Sequence, residues 1–582
     1  MEEQERSASA QTTEKTTAPA PGAIWADLRC LALLFLLAAG LRAWQIAHTE
    51  VASRDSISYI RIAWQLEHGS WREVLPHSPQ HPGYPLTVLG MSLPVRHFIP
   101  DDLPRAWQFS AQLASALASV LLVVPMFYLG RELFDRRAAF WACVLFQCLP
   151  SSGKVMSDGL SDTLFLLFAC AGLWLACIAL RRGSWGCFAL TGLAGGLAYL
   201  TRPEGTLIVG ITGLVLLAMQ FSRRWRRSWR SVLANGVALS AAALAVMTPY
   251  MVLIGGLTVK NTPNLLLEQQ RPDADWEGRL RPQARGRADS STLLAIWWHP
   301  NKAQLKMIQN IKDPAELAKF KPPRRYLWAL YALYVELSKG FFYLLWLPAL
   351  LGLWWSRHRF PRTPGAWVMA LVCVLLCALL YRMAEKMGYL SDRHLLLVVL
   401  CGVYPAAVGA IRLGEKLALG AARLRPALAG SRWTDGRSWS LSLLLLLTLV
   451  PLPRTLDRLH GERAGFRSVG RWMAENTCAG NFIEDPYCWT SYYAGRVFLE
   501  GCADLPVEPE PCFYVVLEKT KNRHAHLVSL QSALVHAWQG QGSKIIHEEV
   551  VRRGKEHAQI VVWRVPGTFR WQPLPGLPGQ RR

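Results

Sequence analysis

The side chains that could do chemistry in this sequence stand where long apolar runs begin and end. Asp55 follows the first such run, and His77 and His81 come after it in SPQHPGYPL. Lys154, Asp158 and Asp162 lie between two further runs, and Arg202 and Glu204 between the next two, in LTRPEGT. Glu336 and Lys339 open a later run, and Glu385, Lys386, Asp392, Arg393 and His394 separate the following pair. Ionisable groups beside a bilayer are costly to keep there, so they point to substrate pathways or active sites. Any one of them could equally be an ordinary interfacial charge. Five separate turns feeding one face make that reading of the whole set much weaker.

These residue types suit a particular chemistry. Arg202, Lys339 and Arg393, with His394 beside the last, form a cation set fit for a phosphate or diphosphate. Arginine can engage such a group through two parallel N–H bonds. A carboxylate just past the first run, Asp55, could take a proton from an attacking hydroxyl or bind a metal that steadies a departing phosphate. Tyr59, His81, Asp158, Asp162 and Glu204 are candidate contacts for the other substrate, His81 being about as well suited to capping its loop. The combination suggests group transfer from a lipid-linked phosphate.

The elements that would position these residues are membrane spans. The chain has 582 residues, 51% of them hydrophobic, and a mean hydropathy of +0.16. This fits a membrane part joined to a water-exposed part. Apolar runs long enough for about 30 Å of hydrocarbon recur near 28–47, 107–130, 138–152, 160–180, 186–201, 204–221, 231–255, 336–356, 366–383, 393–411 and 438–452, about eleven in all. Alternate loops (RELFDRR, RRGSW, SRRWRRSWR, SRHRFPRTP and 412–437) are rich in Arg and Lys. The positive-inside bias then places the N-terminus and these loops in the cytoplasm. The acidic and histidine-bearing turns fall outside, together with everything after the last span. The formal charge of +23 is spread through these short loops. It is not gathered on one soluble face, so nucleic acid is not an expected partner.

The expected domains are a cytoplasmic tail (1–27), a membrane domain (28–452) and an extracytoplasmic α/β domain (453–582). Two outer loops are long, 48–106 and 256–335. The first contains SISYIRIAWQLEHGSW, whose pattern predicts an amphipathic helix. In the last domain, GERAGFRSVGRWMAENT reads as a helix and CFYVVLE and QIVVWRV as strands. Four of the thirteen cysteines (Cys478, Cys488, Cys502, Cys512) fall there, where an oxidising compartment would permit a disulfide.

Four stretches in this order resemble the C-type membrane glycosyltransferases, the group of protein O-mannosyltransferases and lipid A aminoarabinose transferases. They are SRDSISYIRIAWQLEHGSW with HPGYPL, MSDGLSDTLFLLFA, GLAYLTRPEGTLIV and GYLSDRHLLLVV. The resemblance spans about 28–411. It implies a helical C-type bundle in a plasma membrane such as the bacterial inner membrane. It also implies a polyprenyl-phosphate sugar as donor and a protein, lipid or glycan as acceptor, with no organic cofactor. The first-loop acid of the group, a catalytic base or metal-proximal residue, corresponds to Asp55. Ser56 stands where many members have a second acid, so a divalent metal, Mg or Mn, would rest on Asp55 alone. The second acidic position falls on Asp158 or Asp162, with the SDTLF context favouring Asp162. Arg202 and Arg393 correspond to donor-phosphate contacts, and Lys339 less closely. In-line attack would invert the anomeric carbon. The rival expectation is a flippase of lipid-linked sugars, which would favour inverted repeats and charges near the bilayer midplane. Neither is evident here.

Overall fold

The computed structural model describes residues 21–259, 325–358, 362–424, 435–518 (except 486, 501 and 503), 542–553 and 556–567. Most of the expected N-terminal tail and of the second long loop lies outside these residues.

Helices dominate. The first, α1 (Pro21–Ala47), is followed by three helices in the expected first loop: α2 (Arg54–His68), α3 (Trp71–His77) and α4 (Gly83–Phe98). Then come α5 (Leu103–Leu133), α6 (Arg136–Cys148), α7 (Pro150–Ser157), α8 (Ser161–Arg182), α9 (Trp185–Thr201), α10 (Thr206–Ala218) and α11 (Trp229–Ile254). After the undescribed segment follow α12 (Tyr326–Gly340), α13 (Trp346–Ser356), α14 (Pro364–Met387), α15 (Leu396–Leu424) and α16 (Gly436–Leu449). Among the described residues, eight helical stretches are long and apolar enough to cross a membrane.

Three expected spans differ in form. The run 138–152 is divided between α6 and α7 at Leu149–Pro150, because proline opens a new helix rather than continuing one. At 13 residues, α6 is only about 20 Å long, shorter than the hydrocarbon core. The run 186–201 is a helix of 17 residues. The run 336–356 is broken between α12 and α13, where Phe342 and Tyr343 adopt positive φ (50° and 58°). Across the break, Trp346 Nε1 donates to Ser338 Oγ (2.8 Å).

Burial orders the bundle. The apolar stretch of α15 is 78% buried, whereas that of α11 is 22% buried, so α15 is central and α11 peripheral. Leu233, Val237, Leu244 and Val252 of α11 are exposed, as a lipid-facing surface requires. The crossing of α13 and α15 depends on two glycines. A Cβ on Gly352 would meet the Pro405 carbonyl oxygen at 1.8 Å, and one on Gly409 would meet that of Pro348 at 1.9 Å. Small residues at such crossings let helix backbones approach closely.

The two ends of the bundle differ in charge. At one end Asp27 pairs with Arg131 and Arg136, Arg181 with Glu132 (2.7 Å), and Arg227 Nη2 donates to the Leu180 carbonyl (2.7 Å). The opposite end carries the first-loop helices and the 159–162, 201–206 and 388–395 turns.

Beyond α16 a small domain contains α17 (Ala464–Asn476), α18 (Trp489–Tyr493) and a four-stranded sheet in the order β1-β2-β4-β3. Its strands are β1 (Ile483–Glu484), β2 (Cys512–Glu518), β3 (Lys544–Arg553) and β4 (Glu556–Pro566). β1 runs parallel to β2, and the other pairings are antiparallel. The expected helix is α17, and the expected strands are β2 and β4. β2 is buried on both faces, which explains its unbroken apolar run. Phe513, Val515 and Leu517 cluster with Val561, Trp563 and Val565 on one face, while Tyr514 and Val516 join the main core with Phe466 and Val469 of α17. Cys478, Cys488, Cys502 and Cys512 are all free thiols.

Candidate active site

The site starts at the N-terminus of α2. Ser53 has extended backbone geometry, and its Oγ accepts from Ser56 N (3.2 Å), capping the helix. Asp55 therefore sits in the first turn, where the exposed N–H groups and the helix dipole favour a carboxylate. Its side chain stays partly open and forms an ion pair with Arg393.

Arg393 belongs to a tight turn, Asp392–Leu395, that leads into α15. The turn is held reciprocally: the Ser391 side chain accepts from His394 N, and Ser391 N donates to His394 Nδ1 (3.3 Å). Ser151 Oγ donates to Asp392 Oδ2 (2.7 Å), tying the turn to α7. Asp392 Oδ1 in turn accepts from Arg393 N (3.0 Å). The guanidinium is thus held from its own backbone outward.

Arg202 reaches the same place from α9. Pro203 ends that helix, and a tight turn, Pro203–Gly205, starts α10. Arg202 Nη1 donates to Asp162 in the first turn of α8, while Nε and Nη2 contact Glu204 at 3.4 and 3.2 Å. Asp162 and Arg202 are both largely buried. Asp162, Arg202, Glu204, Arg393 and His394 line a narrow cleft whose lining also includes Phe165, Leu376 and Leu397. The lining is therefore part charged and part apolar, with the Arg202 guanidinium 5.7 Å from the Phe165 ring centre.

The two guanidiniums differ in reserve. Arg202 spends three nitrogens on carboxylates. For Arg393, only the Nη1 bond to Asp55 engages the guanidinium among the described residues. Arg393 thus has N–H groups to offer an incoming anion.

Several expected residues lie elsewhere. Asp158 turns away from the cleft because Gly159, at φ +69°, reverses the chain between it and Asp162. Its carboxylate, buried, lies 2.8 and 2.9 Å from His460 Nε2. His81 is buried with its ring 5.1 Å from that of Tyr199 and 5.2 Å from that of Tyr250. Its Nε2 contacts Thr258 Oγ1 (2.8 Å), which fits the loop-capping alternative rather than substrate contact. Lys339 pairs with Glu336 one helical turn back on α12 and does not line the cleft. Tyr59 is buried at the site's edge, its hydroxyl 2.7 Å from Ser161 Oγ. Burial and the neighbouring Asp162 push its phenol well above the ordinary range, so it stays protonated. Phe165, Leu376 and Leu397 were not expected as wall residues. They sit in ordinary apolar periodicity, which carries no mark of a cleft.

Among the described residues no three His, Cys, Asp or Glu side chains converge to hold a metal ion. Asp55 meets a guanidinium, not a second acid. Among the described residues, the side chains around Asp55 do not make up a donor set for the expected divalent metal.

Residues 104–265 match the family model described as dolichyl-phosphate-mannose-protein mannosyltransferase. No curated protein matches the sequence. The fold is similar to that of ArnT from Cupriavidus metallidurans, solved bound to undecaprenyl phosphate. That likeness has a TM-score of 0.50 at 13% identity, covering 93% of this chain and 98% of that one. It is also similar to the oligosaccharyltransferase of Archaeoglobus fulgidus, solved with a tethered acceptor peptide. There the TM-score is 0.50 at 13% identity, over 81% of this chain. The chain spans 63% of the archaeal enzyme's length. The helical C-type architecture with a small C-terminal sheet domain, expected from sequence, is the one observed.

Proposed function

We propose that this polytopic membrane protein, which has the C-type glycosyltransferase fold, moves a sugar from a polyprenyl-phosphate donor to an acceptor hydroxyl with inversion at the anomeric carbon. The observation that carries the reading is the contact between Asp55 and Arg393. It joins a candidate base to a cation with N–H groups to spare, and that cation lines a cleft walled in part by apolar side chains. The 104–265 family match and the ArnT likeness support the same donor class.

In this reading the donor phosphate is held by Arg393, while Arg202 offsets the charges of Asp162 and Glu204 beside it. The lipid chain lies along the apolar part of the lining. The acceptor oxygen attacks the anomeric carbon from the face opposite the phosphate. The bond from that carbon to the phosphate oxygen breaks, and its electron pair leaves with the lipid phosphate. The acceptor proton passes to Asp55. A carboxylate takes such a proton only as the new C–O bond nears completion, because an alcohol is a very weak acid before then. Arg393 serves both partners in turn. As Asp55 gains a proton and loses charge, the phosphate gains charge, and the same guanidinium can follow it. The interaction is then stronger in the transition state than in the ground state, as catalysis requires.

The basic end of the bundle is the cytoplasmic one by the positive-inside bias. The cleft then opens at the outer leaflet of the plasma membrane, beside an extracytoplasmic domain over about 453–582. The acceptor is a protein, lipid or glycan hydroxyl.

Purified protein in lipid nanodiscs, given labelled polyprenyl-phosphate sugars and candidate acceptors, is expected to form a new glycosidic bond. The Asp55→Asn variant is expected to form it about 10²- to 10⁴-fold more slowly. Facilitated movement of donor across a vesicle bilayer, with no glycosidic product from any donor, would favour a flippase instead.

A further inference from the structure

The segment 48–53, which leads into the helix bearing Asp55, is held along its backbone by the C-terminal part of the chain. Leu459 N donates to His48 O (3.3 Å), and Glu50 N donates to Leu459 O (3.1 Å). Arg467 Nη1 donates to Glu50 O (3.1 Å). Both polar groups of the Ala52 backbone go to side chains of α18. Ala52 N donates to the Tyr493 hydroxyl (2.8 Å), and Trp489 Nε1 donates to Ala52 O (2.7 Å). The Tyr493 hydroxyl donates onward to Gln108 Oε1 on α5 (2.8 Å). Burial pushes the Tyr493 phenol well above its ordinary range, so it keeps the proton this relay needs.

A second tie reinforces the first. Ser53, the cap of α2, donates from Oγ to the Asp158 carbonyl (3.1 Å), and the Asp158 carboxylate binds His460. Val51, Ala52 and Ser53 are buried, so water cannot replace these bonds without loss of packing. The two α18 side chains are themselves fixed. Asp485 accepts from Tyr487 N (3.0 Å), Thr490 N (2.5 Å) and Ser491 N (3.4 Å), and the Trp489 ring packs against those of Phe466 and Tyr487.

We infer that Trp489 and Tyr493 are positioning residues for the proposed transfer: the C-terminal domain fixes the register of Asp55 against Arg393 by gripping Ala52, three residues upstream. The inference rests on the transferase reading for its functional half and on the geometry alone for its structural half. A misplacement of about 1 Å in a reacting group can cost on the order of 100-fold in rate. That sensitivity makes a remote grip matter to turnover.

The test uses the full chain in nanodiscs. Trp489→Phe removes one N–H, and Tyr493→Phe one hydroxyl, while each keeps most of its ring contact. Arg467→Met is a milder variant should either fold poorly. Two readouts are taken, hydrogen exchange across 48–58 and steady-state transfer. Exchange is expected to rise in that segment, kcat to fall about tenfold or more, and donor KM to stay within about twofold. In an Asp55→Asn background the same substitutions are expected to cost no further rate, because the group being positioned is gone. Unchanged exchange, or a kcat near that of an active wild type, overturns the inference. So does an equal loss in the Asp55→Asn background, which would show a general structural role. Raised exchange in the variants, where wild type itself transfers nothing, supports the grip and counts against the transferase reading alone.

Discussion

Asp55 and Arg393, 338 residues apart in sequence, meet side chain to side chain where α2 begins and the turn before α15 closes. This pair sets the expected behaviour of its two members apart. Asp55→Asn removes the proton acceptor and frees a guanidinium, so turnover should fall by about 10²- to 10⁴-fold. Affinity for polyprenyl phosphate should hold or rise. Arg393→Ala removes charge-assisted hydrogen bonds worth about 1.5–3 kcal/mol, so donor affinity should fall by roughly 10- to 150-fold. Arg393→Lys should restore only part of it, since a lysine cannot make the paired N–H contacts. Equilibrium binding of a fluorescent polyprenyl phosphate, alongside single-turnover transfer, separates the two effects.

Arg202 and Asp162 form a more buried pair with a larger structural share. Removing Arg202 leaves the Asp162 carboxylate buried without its partner, which costs about 3–5 kcal/mol. Arg202→Ala should therefore lower the unfolding temperature markedly, and Asp162→Ala less so, because Arg202 keeps its contact with Glu204. The double variant Asp162→Leu/Arg202→Met should recover much of the stability while remaining inactive. Thermal unfolding in detergent, followed by intrinsic tryptophan fluorescence, reads this directly.

His81 and Lys339 should behave unlike the cleft residues. His81→Ala opens a hole between Tyr199 and Tyr250, so it should reduce stability while the folded fraction keeps its turnover. Lys339→Met breaks an exposed pair of a kind worth about 0–1 kcal/mol, and donor affinity should stay within about twofold of wild type. A large loss of donor affinity in Lys339→Met would return that residue to the site.

The C-terminal domain should weaken in acid through Glu508. Its hydrogen bond from Tyr514, joined by Arg564 and Cys512, holds the carboxyl below its ordinary range. A carboxylate with a lowered folded value contributes stability above its unfolded value and loses that contribution as the pH drops through the folded one. Stability of the domain should therefore fall below the usual carboxylate range, and Glu508→Gln should flatten that part of the profile. Denaturation monitored at several pH values checks the sign.

Much of the bundle was legible because apolar length and basic loops are imposed by the bilayer, which every span must satisfy. The amphipathic helix at 54–68 and the strands at 512–518 and 556–566 showed through periodicity or unbroken apolar runs for similar reasons. What stayed hidden depends on direction rather than composition. Asp158 and Asp162 are four residues apart and would share a helix face, yet the left-handed turn at Gly159 sends them to different partners. The break between Gly340 and Trp346 uses Phe342 and Tyr343 at positive φ, a conformation that aromatic residues seldom adopt and do not advertise. β3 was missed because its mixed polar residues suit an edge strand and so break the alternation. The grip on Ala52 uses backbone groups, which no residue type can announce.

The most direct measurement of the central claim follows the ³¹P resonance of polyprenyl phosphate titrated into the protein in nanodiscs. Wild type and Asp55→Asn should both shift and broaden it, Arg393→Ala should do so weakly, and wild type should go on to consume a sugar-charged donor about 100-fold or more faster than Asp55→Asn. Equal perturbation by wild type and Arg393→Ala, or consumption of donor by Asp55→Asn at the wild-type rate, would contradict the assignment of this cleft.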